Sequence, residues 1–491
     1  MSATGATRTT TTLGPIANLN VAGNALIVTG GNVEQNAGNL NVGGGLDMTV
    51  GGDWNLGAAQ TGEHKVVERA NGVSNTDINQ MTGSSVVVGG VSEIGVGGDL
   101  TATGANIDLG GGGVVAVKGD VTLQAAKATS TIDSNSSGSD SHGSYAESMH
   151  RSDDRLTATT LNAGDSLTVA SGKDINLTGS AISLDKGKAT LAAAGNVNIG
   201  AATETHVDNS QETHSHSNVV SGKEVASSSS TTTTLNRGSL ISADGVTIAS
   251  DRDINVAGST IVVTNDVSLN AAHDVNITTT QDTSQSSASH QERKSGFGTA
   301  GIGISYGTQD QKDTVNDSSA TNNASLIGST GGNVTVQAGN TLHITGSDVL
   351  AAGNVTGTGA EVIIDASQDD RHHDETHEMK SSGFNLYDGT RYVSAGVTQT
   401  FPPGSWSPGF TSSLGWIFGA RDASSTNAFM NGDGNQAFVS IPTPWKVNAF
   451  GAVTHAYGGA TAVEIGVTTP SGFTFGVTPW SHSVPIGGSK Q

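Results

Sequence analysis

No cysteine occurs anywhere in the 491 residues. That excludes disulfide staples and thiolate metal sites; it is also compatible with passage of an unfolded chain through an oxidising compartment. Aromatic residues make up 4 % and charged residues 13 %, where about 25 % charged is usual. So few bulky side chains cannot fill one large globular core. No apolar run approaches the ~18 residues that suggest a membrane span, so no membrane insertion is expected. Basic residues are scarce: 22 Lys and Arg face 44 Asp and Glu, a net charge of −22. A surface of that sign repels phosphate backbones, so no nucleic-acid partner is expected. Residues 1–13 carry one charge, Arg8, and no apolar stretch, so they are not a signal peptide.

Glycine is abundant, with 68 copies, about twice the usual ~7 %. Through the Gly, Ser, Thr and Asn background runs a repeat: an acidic or amide residue, an apolar–polar–apolar triplet, then small residues. It appears as Asp53-Trp54-Asn55-Leu56, Asp120-Val121-Thr122-Leu123, Asn196-Val197-Asn198-Ile199 and Asp274-Val275-Asn276-Ile277, and more loosely as Glu361-Val362-Ile363-Ile364. From 54 to 121, 197, 275 and 362 the steps are 67, 76, 78 and 87 residues. A shorter period sits inside: Asp174-Ile175-Asn176-Leu177 precedes the Val197 triplet by 22 residues, and Asp253-Ile254-Asn255-Val256 precedes the Val275 triplet by 21. Period-2 strands that recur every 20 or so residues between Gly, Asn and Asp turns predict the coils of a parallel β-helix. Leu167, Val169, Ile175, Leu177, Ile182 and Leu184 are predicted to point inward. About ten coils fit, roughly 50 Å at the usual interstrand spacing. The pattern is under way at Asn18, so residues 1–17 are expected to be a disordered start and the chain to be a fragment. Five units then fill residues 18–383.

The residue before each triplet is read as a turn-capping Asp or Asn rather than a calcium ligand, because no nonapeptide glycine pattern accompanies it. Between units the patterning dissolves at 61–82, 128–155, 203–237, 281–294 and 368–380. These inserts hold ten of the fourteen histidines, and each reads as a polar hairpin leaning off the rod or a disordered loop, dispensable for the ladder. In the segment from Arg371 to Glu378, His373 and His377 have the i,i+4 spacing of a zinc-protease helix, but Asp374 stands where the general-base Glu belongs. Gly303-Ile304-Ser305-Tyr306-Gly307 spells a nucleophile elbow without its strand and helix. Asn431-Gly432-Asp433-Gly434-Asn435 opens like an EF-hand loop, yet Gln436 replaces the turn glycine; it reads as a turn. No catalytic, cofactor-binding or metal-ligating residue is assigned, no cofactor is expected, and the chain reads as a non-enzyme. Ile277→Asp is expected to break the ladder, and Asn276→Asp, on the outward side, to be nearly neutral.

Units such as 240–276, followed by a Ser/His-rich insert and then Lys294-Ser295-Gly296-Phe297-Gly298, resemble the second class of haemagglutinin repeats, found in filamentous haemagglutinins and contact-dependent growth-inhibition exoproteins. Lys380-Ser381-Ser382-Gly383-Phe384 repeats that ending. The resemblance covers about residues 18–384. It implies a right-handed parallel β-helix, two-partner secretion through an outer-membrane transporter, and display at the surface of a Gram-negative cell. The implied role is adhesion to a receptor or glycan on a host or neighbouring cell, or delivery of a C-terminal toxin. The family's N-terminal secretion domain, an Arg-Gly-Asp tripeptide and a Val-Glu-Asn-Asn sequence are not found in the chain.

Beyond Gly383 the composition changes: nine of ten Phe, four of five Trp and eight of nine Pro lie there. Runs at 438–441, 462–467 and 473–477, divided by Pro and Gly, predict a separate small β-rich domain over 384–491. Trp406, Trp416, Trp445 and Trp480 are read as its core rather than a sugar-stacking face, and His455 and His482 lack partners at any motif spacing. The leading functional reading is the repeat stalk of a surface adhesin. The alternative is the stalk of a toxin exoprotein whose C-terminal residues are the effector. A β-helix carbohydrate lyase ranks last, because the charges concentrate in inserts and turns rather than on one coil face.

Overall fold

A computed structural model describes residues 4–300, 303–385, 392–401, 411–418, 433–444, 448–457, 461–468 and 474–485. Every regular element among them is a strand. The chain divides into two compact units.

The first unit comprises residues 1–215, 225–291 and 312–377, and its body is the expected parallel β-helix. Each coil is three short strands, as in Thr160–Ala163, Leu167–Ser171 and Ile175–Thr178. The next coil repeats them as Ala181–Leu184, Lys188–Ala193 and Val197–Gly200. Two faces are ten-stranded parallel sheets, the ten coils expected, and the third runs on into a larger sheet. Equivalent residues stack in register: Ile175 on Val197, Val197 on Ile254, Ile254 on Val275. All four have no measurable exposure. Burying a Val or Ile side chain fully is worth about 1.5–3 kcal/mol, and the alternation repeats on every face, so the core is a set of aliphatic columns.

Polar columns stand beside the apolar ones. In the corner before each triplet the side-chain oxygen of one coil accepts the backbone N–H of the next. Asp53 accepts from Asp99, Asp99 from Asp120, Asp120 from Asp174 and Asp174 from Asn196, at 2.7–2.9 Å. Asp274 ends the run by accepting from Thr341 at 2.9 Å. This capping of the neighbouring coil accounts for the recurring Asp or Asn. On the outer face the middle residues of the triplets form an amide ladder: Asn276 donates to Asn255, Asn255 to Asn198 and Asn198 to Asn176, at 2.8–2.9 Å. A third column is buried hydroxyls. Ser325 donates to the carbonyl of Thr278 at 2.6 Å and accepts the N–H of Ser259, while Ser259 accepts that of Ser239.

Successive coils leave their third strand differently. The odd-numbered coils turn at one left-handed residue: Ala37, Gly104, Gly179, Gly258 and Gly346, all with φ between 52° and 61°. At these corners the backbone needs glycine's freedom. The even-numbered coils do not turn; their third strand runs on into an antiparallel hairpin. The first hairpin pairs Trp54–Arg69 with Gly72–Gly83, and the second Ala126–Ser139 with Gly143–Thr157. The third joins Ala202–Ser217 to Ser221–Arg237, the fourth Thr280–Ala300 to Gly303–Asn323, and Asp370–Asn385 follows the tenth coil. The inserts are thus ordered and include the longest strands among the described residues. A ribbon with both faces in water needs no alternation of apolar residues, and Thr favours extended backbone without it.

Residues 1–17 are not a disordered start throughout: Gly5–Thr11 is a strand, antiparallel to 62–68 of the first hairpin. It is held by backbone pairing rather than burial, which hydropathy does not register. The inward columns are exposed at both ends, Leu19 at 54 % and Ile364 at 74 %.

The second unit comprises residues 216–224, 292–311 and 378–491. Its sheet has six antiparallel strands in the order Tyr392–Phe401, Thr474–Pro485, Asp433–Pro442, Asn448–Ala456, Thr461–Thr468, Thr411–Phe418. The three predicted runs fall on three of these, except Phe473, which lies outside the described residues. The boundary expected after residue 383 falls inside the strand Asp370–Asn385. Trp406 and Trp445 lie outside the described residues, while Trp416 and Trp480 sit on strands.

Candidate functional site in the hairpin sheet

The hairpins pair with one another. The return strand of each lies against the outgoing strand of the next, from Gly5–Thr11 at one end to Asp370–Asn385 at the other. This gathers polar inserts from separations of 50 residues and more into one sheet. Residues in cross-strand register share a face: Asp133 lies opposite both Asn75 and His150. Asn209 and Ser230 are joined by a 2.6 Å hydrogen bond. These five side chains, with Met149 and Ser287, line an open groove of about 540 Å³.

Histidine–carboxylate pairs recur across the sheet. His64 meets Asp77 at 2.6 Å and His150 meets Asp133 at 2.5 Å, each within one hairpin. His206 reaches Asp153 of the preceding hairpin at 3.1 Å. On Asp370–Asn385, His373 bonds Asp317 at 2.5 Å and His377 bonds Asp313 at 2.8 Å, both carboxylates on the fourth hairpin's return strand. Their hydrogen bonds to these carboxylates, with Glu375 beside them, raise both imidazoles above the usual histidine range. The strand also settles the zinc-protease spacing. Residues i and i+4 stand about 13 Å apart along a strand, too far to share one ion. The two imidazoles hold carboxylates instead of converging.

Among the described residues one set is spaced to share a cation: Glu147 of the second hairpin with Glu212 and His214 of the third, their ligand atoms within 4.8 Å of one another and all three exposed. His214 is ion-paired with Glu212, lies 3.9 Å from Glu147 and stacks on Tyr145. Sequence reading missed it. Glu212 and His214 have the i,i+2 spacing that puts two strand residues on one face, but Glu147 is brought in only by pairing between hairpins. Gly303-Ile304-Ser305-Tyr306-Gly307 begins the strand Gly303–Asn323, so the strand–turn–helix of an elbow is absent there. Asp433-Gly434-Asn435 is likewise strand; Asn431 and Gly432 lie outside the described residues.

In the C-terminal sheet the half-buried Glu464 accepts a hydrogen bond from Thr454, and Gln436 donates to both, at 2.9 and 3.3 Å. His455 faces Thr461 at 2.8 Å. Asp388, Asp422, Asp433 and Glu464 are the only acids after residue 383, and Arg391, Arg421, Lys446 and Lys490 the only Lys or Arg. The two sets cancel, so the charge of −22 lies wholly in residues 1–383.

The family described as Hemagglutinin repeat matches residues 67–151, 140–222, 219–380 and 304–400. The family described as Bacterial toxin 22 matches residues 377–491. Among curated proteins, the tRNA nuclease CdiA-2 of Burkholderia pseudomallei strain 1026b is 59 % identical over 387 residues, 79 % of this chain and 12 % of that protein. A tRNA nuclease CdiA of Burkholderia pseudomallei is 60 % identical over 387 residues, 79 % of this chain and 30 % of its own length. Toxin CdiA of Yersinia pestis is 33 % identical over 380 residues, 77 % of this chain and 11 % of its own. The chain therefore spans between about a tenth and a third of these relatives. No solved structure matches.

Proposed function

We propose that this chain, which belongs to the hemagglutinin-repeat family, is the stalk and toxin portion of a contact-dependent exoprotein. The observation that carries this is the order of the two matches: repeats up to residue 400, then a toxin family from 377 to the last residue. The expectation of an adhesin stalk gives way to the alternative, a stalk that carries an effector. Relatives of this kind are secreted surface exoproteins of Gram-negative bacteria, and the chain is placed with them. On this reading residues 18–383 are the stalk and 384–491 the effector. Export uses an outer-membrane transporter, and a receptor on the neighbouring cell takes the contact.

The expectation of no enzymatic activity is kept for the stalk alone. Its groove is open, and the Asp133 and His150 that line it pair with each other rather than converge on a substrate position. For the effector, RNA cleavage is the activity to test, since two of the relatives above are named tRNA nucleases. The charge argument against a nucleic-acid partner does not reach residues 384–491, which carry no net charge. The experiment is inducible expression of residues 378–491 inside bacterial cells, with growth and total RNA followed together. Growth arrest with RNA fragmentation supports a nuclease effector, and arrest with intact RNA supports an effector of another class. Normal growth with soluble protein accumulating sinks the effector reading and returns the chain to adhesion.

A further inference from the structure

Three neighbouring strands of the C-terminal sheet, Asp433–Pro442, Asn448–Ala456 and Thr461–Thr468, have the polarity of a sheet in water turned inside out. The covered face is small and polar. Ser440 and Asn448 are buried there and joined by a 2.8 Å hydrogen bond, and the network of Gln436, Thr454 and Glu464 lies on the same side. The other face carries Val439, Ile441, Val453, Val463, Ile465 and Val467, all exposed, Ile465 at 55 %. Register joins these into rows: Val453 lies opposite Val463, Gly451 between Val439 and Ile465, and Ala449 between Ile441 and Val467. An antiparallel sheet with one face in water ordinarily covers its apolar side and wets its polar one.

We propose that this face docks on a lipid bilayer, with its Val and Ile side chains entering the hydrocarbon of one leaflet. Strands that are polar on the covered side and apolar on the open side have the alternation of strands that face lipid. The run-length argument against membrane insertion does not reach them, because it detects helices. The apolar rows extend from residue 437 to 441 and from 463 to 467, about 14 Å at the rise of a strand. That is half of the ~30 Å hydrocarbon core, so the face enters one leaflet and does not span the bilayer. At one end the rows give way to Asn435, His455 and Thr461, which are in register with one another. The exposed Tyr457 follows on the same side of the sheet's end. Polar groups and a tyrosine thus stand where headgroups would lie.

Charge selects the bilayer over other occupants. None of the three strands contains Lys or Arg, and their two acids are Asp433, at a strand end, and Glu464, on the covered face. The open face therefore complements hydrocarbon and gives a charged partner nothing to hold. A second copy of the chain would bring its own charge of −22 against the first, which opposes association. The inference rests on the effector reading for its setting, since an effector delivered to a neighbouring cell meets that cell's membranes. Lipid binding is measured without growth or RNA, so either reading can fail while the other stands.

Because the chain has no cysteine, a single introduced one can carry a probe. Ile465→Cys in the full chain, labelled with an environment-sensitive fluorophore, is mixed with phosphatidylcholine vesicles. Ile78→Cys, exposed on the hairpin sheet, carries the same label as the control. Fluorescence at position 465 should rise several-fold and be quenched by nitroxides on the acyl chains, while the label at position 78 stays unchanged. The rise should persist at about 1 M salt, where charges are screened beyond ~3 Å. Val463→Asp with Val467→Asp should abolish it, and Val463→Leu with Val467→Leu should keep it, both with unchanged circular dichroism. Fluorescence indifferent to vesicles overturns the proposal. So does a rise that needs anionic lipid, because charge and not the apolar face would then make the contact. A label already bright without lipid and dimming on dilution overturns it as well, since a second copy would then cover the face.

Discussion

At the scale of single residues, the structure separates positions that the triplet pattern treats alike. Ile277 is fully buried and stacks between Val256 and Ile344. Ile277→Asp leaves a carboxylate unpaired in an aliphatic column, at a cost of about 3–5 kcal/mol, seen as a large drop in the denaturant midpoint. Its neighbour Asn276 is not the neutral site its outward position suggests. Its amide N–H donates to Asn255, and Asn276→Asp sets two acceptors face to face, costing about 1 kcal/mol. Equal midpoints for wild type and Asn276→Asp would refute the amide ladder. The corner residue gives a test of opposite sign. Ala37 holds a φ of 52° where four other coils use glycine, and a left-handed alanine costs about 1–2 kcal/mol. Ala37→Gly should therefore raise the melting temperature. Gly258→Ala should lower it, because a Cβ there would lie 2.0 Å from the Thr280 hydroxyl. Asp274 adds a pH dependence: the N–H of Thr341 and the amide of Asn340 hold its carboxyl below the usual range. That contribution is present above about pH 4, the unfolded value, and lost as pH falls through the folded one. Asp274→Asn keeps an acceptor but not the charge, so it should melt below wild type at pH 7, and the gap should close between pH 6 and pH 3 as the wild-type carboxyl takes up its proton.

At the scale of elements, the coils were legible and the hairpins were not. A strand with one buried face records its burial as a period of two, which is why Val197-Asn198-Ile199 and its counterparts could be placed on the ladder and their inward residues named. Beyond their bases the hairpins bury neither face, so Ser227 to Thr234 reads as low complexity although it lies in one of the longest described strands. Contacts between hairpins leave still less trace, since Glu147 and His214 are 67 residues apart and only the pairing of two ribbons joins them. The triplets mark the strand from which each hairpin springs, and the long steps between them measure hairpin length as much as coil length. Deleting residues 203–237 and joining the flanks by a turn should leave a β-rich, cooperatively melting solenoid. Its midpoint should fall below wild type, because the second and fourth hairpins each lose a paired edge; loss of the cooperative melt would mean the ladder cannot close without the ribbon. The last strand should loosen with rising pH. Asp317 and Asp313 on the neighbouring strand, with Asp374 and Glu375 on its own, raise the imidazoles of His373 and His377. Their ion pairs are present below about pH 6.5 and lost as pH rises through the folded values. Amide exchange at residues 372–378, corrected for its intrinsic pH dependence, should be less protected at pH 8.5 than at pH 5.5, and His373→Asn with His377→Asn should abolish the difference.

At the scale of the whole molecule, the two halves of the sequence differ in electrical character: a strongly acidic repeat region precedes a C-terminal part with no net charge. Mutual repulsion should keep copies of the chain apart at neutral pH. Light scattering should show association as pH approaches the isoelectric value of about 4.8, and at neutral pH added salt should weaken the repulsion. The rhythm of one hairpin to every two coils has a further consequence. A coil advances the solenoid by about 4.8 Å, and each added strand widens a sheet by the same amount. Two coils and the two strands of one hairpin therefore travel equal distances, and solenoid and ribbon sheet keep a common pitch for the length of the array. Removing a single coil would leave the aliphatic columns continuous and throw every later hairpin out of phase by one strand spacing. The quantum by which such an array can lengthen or shorten is thus the pair of coils with its ribbon, never the coil alone.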